Sequence, residues 1–192
     1  LAAVAVGVGH LVDGQNAVSI GQSNTVNGLS AIAVGAANSA VGDNAVVLGS
    51  ASNATGFRAL TLGVASAASA DRAVVVGAES TATGVDSTTV GSRSNATALH
   101  AVALGAGTLA SGQDGTAVGT RAQATATGAS ALGGDGNLDG VGARATAANA
   151  TALGADSQAG FANSTAIGAG AATTRTNQMA LGTGASTYTM AG

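Results

Sequence analysis

The chain has 192 residues, with no cysteine, proline or tryptophan, 2% aromatics, 8% charged residues and a net charge of −3. The missing cysteine excludes disulfides and thiolate metal sites, and six scattered arginines without lysine make no basic stripe for nucleic acid. An apolar share of 46%, mostly Ala and Val, is too high for a disordered chain and too small-bodied for a thick globular core.

The opening Leu1–Gly9 has no basic flank of a signal peptide, and no run approaches the roughly 18 apolar residues of a membrane span. The chain therefore reads as an internal piece of something longer. From its start a glycine returns every 14 residues, from Gly7, Gly21 and Gly35 through to Gly133, and after one gap of 21 at Gly154, Gly168 and Gly182. A short fixed period means stacked repeats, each one coil of a solenoid.

Within a repeat, counting from the closing glycine as zero, position −1 is Val, Ile or Leu in every copy (Val6, Ile20, Val34, Leu48 and onward). Position −3 is mostly the same (Val4, Val18, Ile32, Val46), whereas −2 and −4 are Ala, Ser or Thr almost everywhere. This period-2 alternation predicts a strand, and the larger residues at −1 and −3 are expected inside the coil. The second half alternates too, with Asn24, Asn38, Ser52 and Ser66 at +3 and Val26, Ala40, Ala54 and Ala68 at +5. A second glycine at +7 (Gly14, Gly28, Gly42, Gly56) predicts two strands and two tight glycine turns per coil, the glycines supplying positive φ. The column Ala3, Ala17, Ala31, Ala45, Ala59, Ala73 and Ala101 is free of charge and is expected outside the coil, packed against another chain.

The repeat fails between Gly133 and Gly154, and a loop is expected over about 134–149. Because 21 is three half-repeats of seven, the alternation can resume in phase. Asp135, Asn137 and Asp139 followed by Gly140 match the opening of a calcium loop, but the twelfth position is Thr146 and the bidentate Glu is missing. A surface loop rich in Gly, Asp and Asn is the favoured reading, with Ca2+ as the minor alternative and no cofactor otherwise expected. Residues 173–192 keep the strand pattern but bring in Arg175, Asn177, Met179, Tyr188 and Met190, as a cap or junction would.

Together these features resemble the heads of trimeric autotransporter adhesins, the YadA-like surface proteins of Gram-negative bacteria. NAVSIGQS at 16–23, NAVVLG at 44–49 and NSTAIG at 163–168 carry the resemblance, and TRTNQMALGTGASTYTMAG at 174–192 is similar to that family's neck. It departs from the neck pattern at Thr174, which replaces an acidic residue, and at Tyr188-Thr189-Met190. The resemblance implies an all-β, left-handed parallel β-roll, three rolls side by side, with a head over 1–172 and a neck over 173–192 leading to a coiled-coil stalk. It implies trimer and neck contacts at Arg175, Asn177, Met179, Leu181, Tyr188 and Met190, and a membrane link only through an anchor beyond residue 192. The implied function is adhesion at the bacterial surface: a homotrimer binding extracellular-matrix or host-cell macromolecules, with autoaggregation besides and no catalysis. The alternative is a spacer that presents some other binding domain.

Two other classes fit less well. Hexapeptide acyltransferases are also parallel solenoids with a catalytic histidine, but their period is six, and His10 and His100 lie about six coils apart. Ice-binding solenoids present flat ranks of threonine, whereas Thr61, Thr89, Thr116, Thr151 and Thr165 form no regular column.

Overall fold

A computed structural model describes residues 2–186. Each coil but the last two contributes one strand to each of two parallel sheets, and those two add only a long strand. The longer strands, from Val4–Val8, Val18–Gln22 and Ile32–Ala36 to Met179–Leu181, stack in chain order as a 13-stranded sheet. The two-residue strands, from Leu11–Val12 to Gln158–Ala159, stack as an 11-stranded sheet. Register advances by one repeat per coil, Val4 pairing with Val18, Val18 with Ile32 and Ile32 with Val46. Across the irregular segment Ser130 pairs with Thr151 and Gln123 with Arg144, so the extra seven residues loop out and the phase is kept. The molecule is a parallel β-solenoid, as the period requires.

The pleat, however, points the other way from expectation. Positions −4 and −2 are the buried ones: Ala17, Ala31, Ala45, Ala33, Val47, Val75 and Ala103 have no exposed surface. They form continuous clusters with Ala40, Ala54, Ala82 and Ala110 of the short strands. Positions −3 and −1 face outward, leaving Ile20, Leu48, Val90 and Leu153 about two-fifths exposed (40%, 41%, 40% and 45%). The reason lies in the spacing of the sheets. Thr61 on a long strand donates its Oγ1 hydrogen to the carbonyl of Asn53 on a short strand at 2.7 Å, and Thr89 reaches Thr81 at 3.0 Å. One side chain of three heavy atoms therefore spans the interior, and a leucine there would be overpacked. Tight turns set the gap first, and only small residues fill it. The charge-free alanine column is the core, and the outward face is the Val, Ile and Leu column.

The +3 column adds a polar ladder inside the roll. Asn38 is 1% exposed; its Nδ2 donates to the carbonyls of Val34 (3.2 Å) and Gly49 (2.8 Å), and its Oδ1 accepts from the Ser52 N–H (3.1 Å). Asn24 repeats the pattern one coil earlier, and serine hydroxyls carry it on through Ser52, Ser66, Ser80 and Ser94. Asn38→Ala removes partners from three buried backbone groups, and chemical denaturation should read a loss of about 2–3 kcal/mol. A loss below about 0.5 kcal/mol would show that water replaces the side chain.

The turns also divide their labour differently from the expectation. The closing glycines do have positive φ, but Gly14, Gly28, Gly42 and Gly56 are absent from the positive-φ set. Those +7 glycines are needed for closeness: a Cβ on Gly28 would lie 2.1 Å from the carbonyl oxygen of Gly42. The left-handed positions of the turns are instead held by ordinary residues. Asn16, Ser30, Asn44, Arg58, Arg72, Asp86 and His100 occupy one edge and Ser23, Ala37, Glu79, Arg93 and Arg121 the other, all at φ of 53–58°. Each such residue costs roughly 1–2 kcal/mol. Backbone bonds between successive coils offset this, such as Arg72 N–H to Phe57 O at 2.8 Å and Arg93 N–H to Ala78 O at 2.9 Å.

Candidate functional surfaces

Three surfaces carry chemistry: the outward face of the long sheet and the two turn edges. The first is apolar in nearly every coil. Val18, Ile32, Val46, Leu60 and Val74 at −3 stand beside Ile20, Val34, Leu48, Leu62 and Val76 at −1, all outside the roll. In later coils −3 turns to hydroxyls (Thr88, Thr116, Ser130, Thr151, Thr165), while −1 stays aliphatic through Leu181. A contiguous apolar stripe of this length marks an interaction surface. Size selection was the signal that could have located it. The −4 and −2 columns of the coils admit nothing larger than valine until the final repeat, as a confined interior does, whereas the −3 and −1 columns range over Val, Ile, Leu and Met.

The edge at position −5 is a charge ladder. Arg72 grips Asp86 through Nε and Nη2 (2.5 and 2.6 Å), and His100 stands between Asp86 (3.9 Å) and Asp114 (2.8 Å). The hydrogen bond from Arg72 holds the Asp86 carboxyl below its ordinary value, and that from His100 does the same for Asp114. Depressed carboxyl groups stabilise the fold above the ordinary value of 3.8, and the contribution is lost as pH falls below it. The melting temperature should thus be nearly level from pH 7 to 5 and fall below about pH 4. Asp114→Asn should flatten part of that fall, and an unchanged profile would remove the ladder from the account. Near the C-terminal end the same edge becomes an amide ladder, Asn149 donating to Asn163 and Asn163 to Asn177 at 3.2 Å each.

In the irregular segment most side-chain oxygens of Asp135, Asn137 and Asp139 already have partners, while Asp135 Oδ1 is buried without one. Asp135 Oδ2 accepts from Arg121 Nη1 (2.6 Å) and from the Gly140 N–H (2.9 Å). Burial pushes this carboxyl up, and those hydrogen bonds outweigh it, leaving it below its ordinary value. Asn137 Oδ1 accepts from the Asp139 N–H at 3.0 Å, and Asp139 Oδ1 from the Val141 N–H at 2.9 Å. Among the described residues no group of three or more His, Cys, Asp or Glu side chains is arranged to hold a metal. A cation would have to displace Arg121.

Of the expected neck contacts, Met179 and Leu181 continue the outward columns of the long sheet at 65% and 49% exposure. Asn177 ends the amide ladder, Arg175 is exposed in the preceding turn, and Tyr188 and Met190 lie outside the described residues. The solenoid itself runs on through Leu181. His10 Nδ1 meets Ser19 Oγ at 2.9 Å, the spacing of a base and a nucleophile, but Ser19 is fully buried and no substrate could reach it. His100 belongs to the charge ladder.

A family profile described as the YadA head domain repeat (2 copies) matches residues 13–38, 40–59, 54–80, 82–108, 110–135, 140–157 and 145–171. Between its first and last matched residues, 13 and 171, the only stretch longer than one residue that it skips is 136–139, inside the looped-out segment. None of the curated proteins matches the chain significantly. Among solved structures, the collagen-binding domain of the Yersinia adhesin YadA is similar, with 22% identity over 89% of this chain and 74% of that one and a TM-score of 0.39.

Proposed function

The chain belongs to the family of YadA adhesin heads, and from that premise we propose that it works as a homotrimer which attaches the bacterial surface to matrix or host-cell macromolecules. The observation that carries the trimer is the outward Val, Ile and Leu face of the long sheet, which a lone solenoid leaves in water. Three copies around one axis bury that face and close the assembly. Met179 and Leu181 extend the same face toward the neck, with Arg175 and Asn177 at its edge. The turn edges and the short sheet then remain as the surface available to a ligand. Repeated weak contacts along three stacked edges favour avidity over any single tight site. The same logic supports autoaggregation between cells. The extracellular side of the outer membrane is the matching location.

Two measurements test this. Sedimentation equilibrium should return three chain masses at micromolar concentration, and a monomer at that concentration would overturn the trimer. Surface plasmon resonance against immobilised collagen, the ligand named for the Yersinia domain, should show binding that weakens sharply when the protein is made monomeric. A trimer that binds neither collagen nor whole host cells would be a spacer. Calcium at millimolar concentration should leave the melting temperature unchanged, because Arg121 already occupies Asp135; a rise of several degrees would restore the cation loop.

A further inference from the structure

The second turn edge, at position +2, reads Glu79, Arg93, Gly107, Arg121, Asp135 in five successive coils. All but the last carry positive φ, so the chain stands in the same left-handed turn at four of these positions. The sequence is symmetric in charge: acid, base, gap, base, acid. Glycine supplies the gap, and a pocket of about 250 Å3 lies over it, lined by Ser92, Arg93, Ala106, Gly107, Thr120 and Arg121. That is below the roughly 300–1,000 Å3 of sites for drug-sized ligands, and it suits one small group.

We propose that this pocket is a binding site for a tetrahedral oxyanion, a sulfate or phosphate either free or carried as an ester on a sugar. Coils stack about 4.8 Å apart, so Arg93 and Arg121 leave the edge about 9.6 Å from each other, on either side of the vacant position. The Arg93 guanidinium can bend over Gly107 toward the anchored Arg121, so that both face one ion, and planar forks of N–H donors match such oxygens. Ser92 and Thr120 bring hydroxyl donors to the rim. The acids sit on the far side of each arginine and leave the gap clear. Glu79 holds Arg93 only loosely, at 3.4 Å with both side chains mostly exposed, so that arginine can swing. Arg121 is anchored by Asp135 at 2.6 Å, which fixes one wall of the pocket. Elsewhere on this edge the +2 residues are Gly9, Ser23, Ala37, Ala51, Ala65, Asp156, Gly170 and Gly184; no other glycine there is flanked by two arginines, so the arrangement occurs once among the described coils. The site stands independently of the adhesin reading.

The test uses the arginine Nε–H resonances of the intact chain, titrated at constant ionic strength with sodium sulfate, sodium phosphate, a heparin-derived tetrasaccharide and its desulfated counterpart. Arg93 and Arg121 should shift together and saturate with sulfate and phosphate, while Arg72, locked on Asp86, stays still. Tighter saturation by the sulfated sugar than by sulfate, with no response to the desulfated one, would identify the sugar ester as the preferred source. Saturation by the inorganic ions alone would identify the free anion. Arg93→Gln and Gly107→Glu should each raise the half-saturating concentration at least tenfold. Glu79 already occupies the same turn at φ 56°, so glutamate at 107 is compatible with the fold, and an unchanged melting temperature checks this. Shifts that never saturate, that Arg72 shares, or that survive both variants would overturn the proposal.

Discussion

Gly77→Ala should be among the most damaging single substitutions, lowering stability by about 3–5 kcal/mol. Gly77 closes its repeat at φ +147°, where side chains are strained, and a Cβ there would lie 1.7 Å from the carbonyl oxygen of Gly91 in the next coil. That oxygen is backbone within the stacked coils, so no rotamer change relieves the overlap; two coils would have to separate. The same contact recurs at Gly49, where the distance to the Gly63 oxygen is 1.6 Å, and at Gly63, 1.7 Å from that of Gly77. The glycine period is thus a record of how closely coils stack. Gly107→Ala is the control: its φ is +66° and its added Cβ would meet only Arg121 Cγ, at 3.5 Å. Chemical denaturation at one fixed protein concentration should separate the two clearly. A Gly77→Ala midpoint within error of the control would mean the coils are more loosely stacked than the structure shows.

The second prediction sets the two faces of one strand against each other. Val102 and Leu104 point out of the roll, and Ala101 and Ala103 point into it with no exposed surface. On the proposed trimer, the double variant Val102→Asp, Leu104→Asp should keep its β circular dichroism but sediment as a monomer, since each carboxylate would then be buried between subunits without a partner, at a cost of a few kcal/mol. Ala103→Asp should fail to fold whatever the concentration, because there the charge lands inside the solenoid. The opposite assignment of faces predicts the opposite pair of outcomes. A folded monomer from the first variant would also provide the reagent for asking how much binding depends on three copies.

Much of this was legible in the chain alone. The 14-residue glycine period specifies a stacked solenoid because nothing else repeats one strand pair so regularly. The 21-residue gap, as three half-repeats, announces a loop that leaves the pairing in phase, and Ser130 duly meets Thr151. The +3 and +5 columns are two residues apart and so share one face of the short strand, and Asn24 and Asn38 lie inside, with Asn38 bonded to the coils on both sides. The two edge ladders are also implied, since residues 14 apart must stack, as Arg72 and Asp86 do.

What the chain could not decide by itself is which side of the strand is the inside. Alternation separates Val18 and Ile20 from Ala17 and Ser19 without saying which pair meets the opposite sheet, and the preference for burying larger side chains points the wrong way. The gap between the sheets is a tertiary quantity, set by how tightly the two turns fold back, and it admits only one small side chain. Nor does local pattern show that Gly28 is needed for a close carbonyl while Arg58 and Arg72 take the left-handed turn. Periodicity determines what stacks on what; the distance between the sheets decides which residues are hidden and which are offered to a partner.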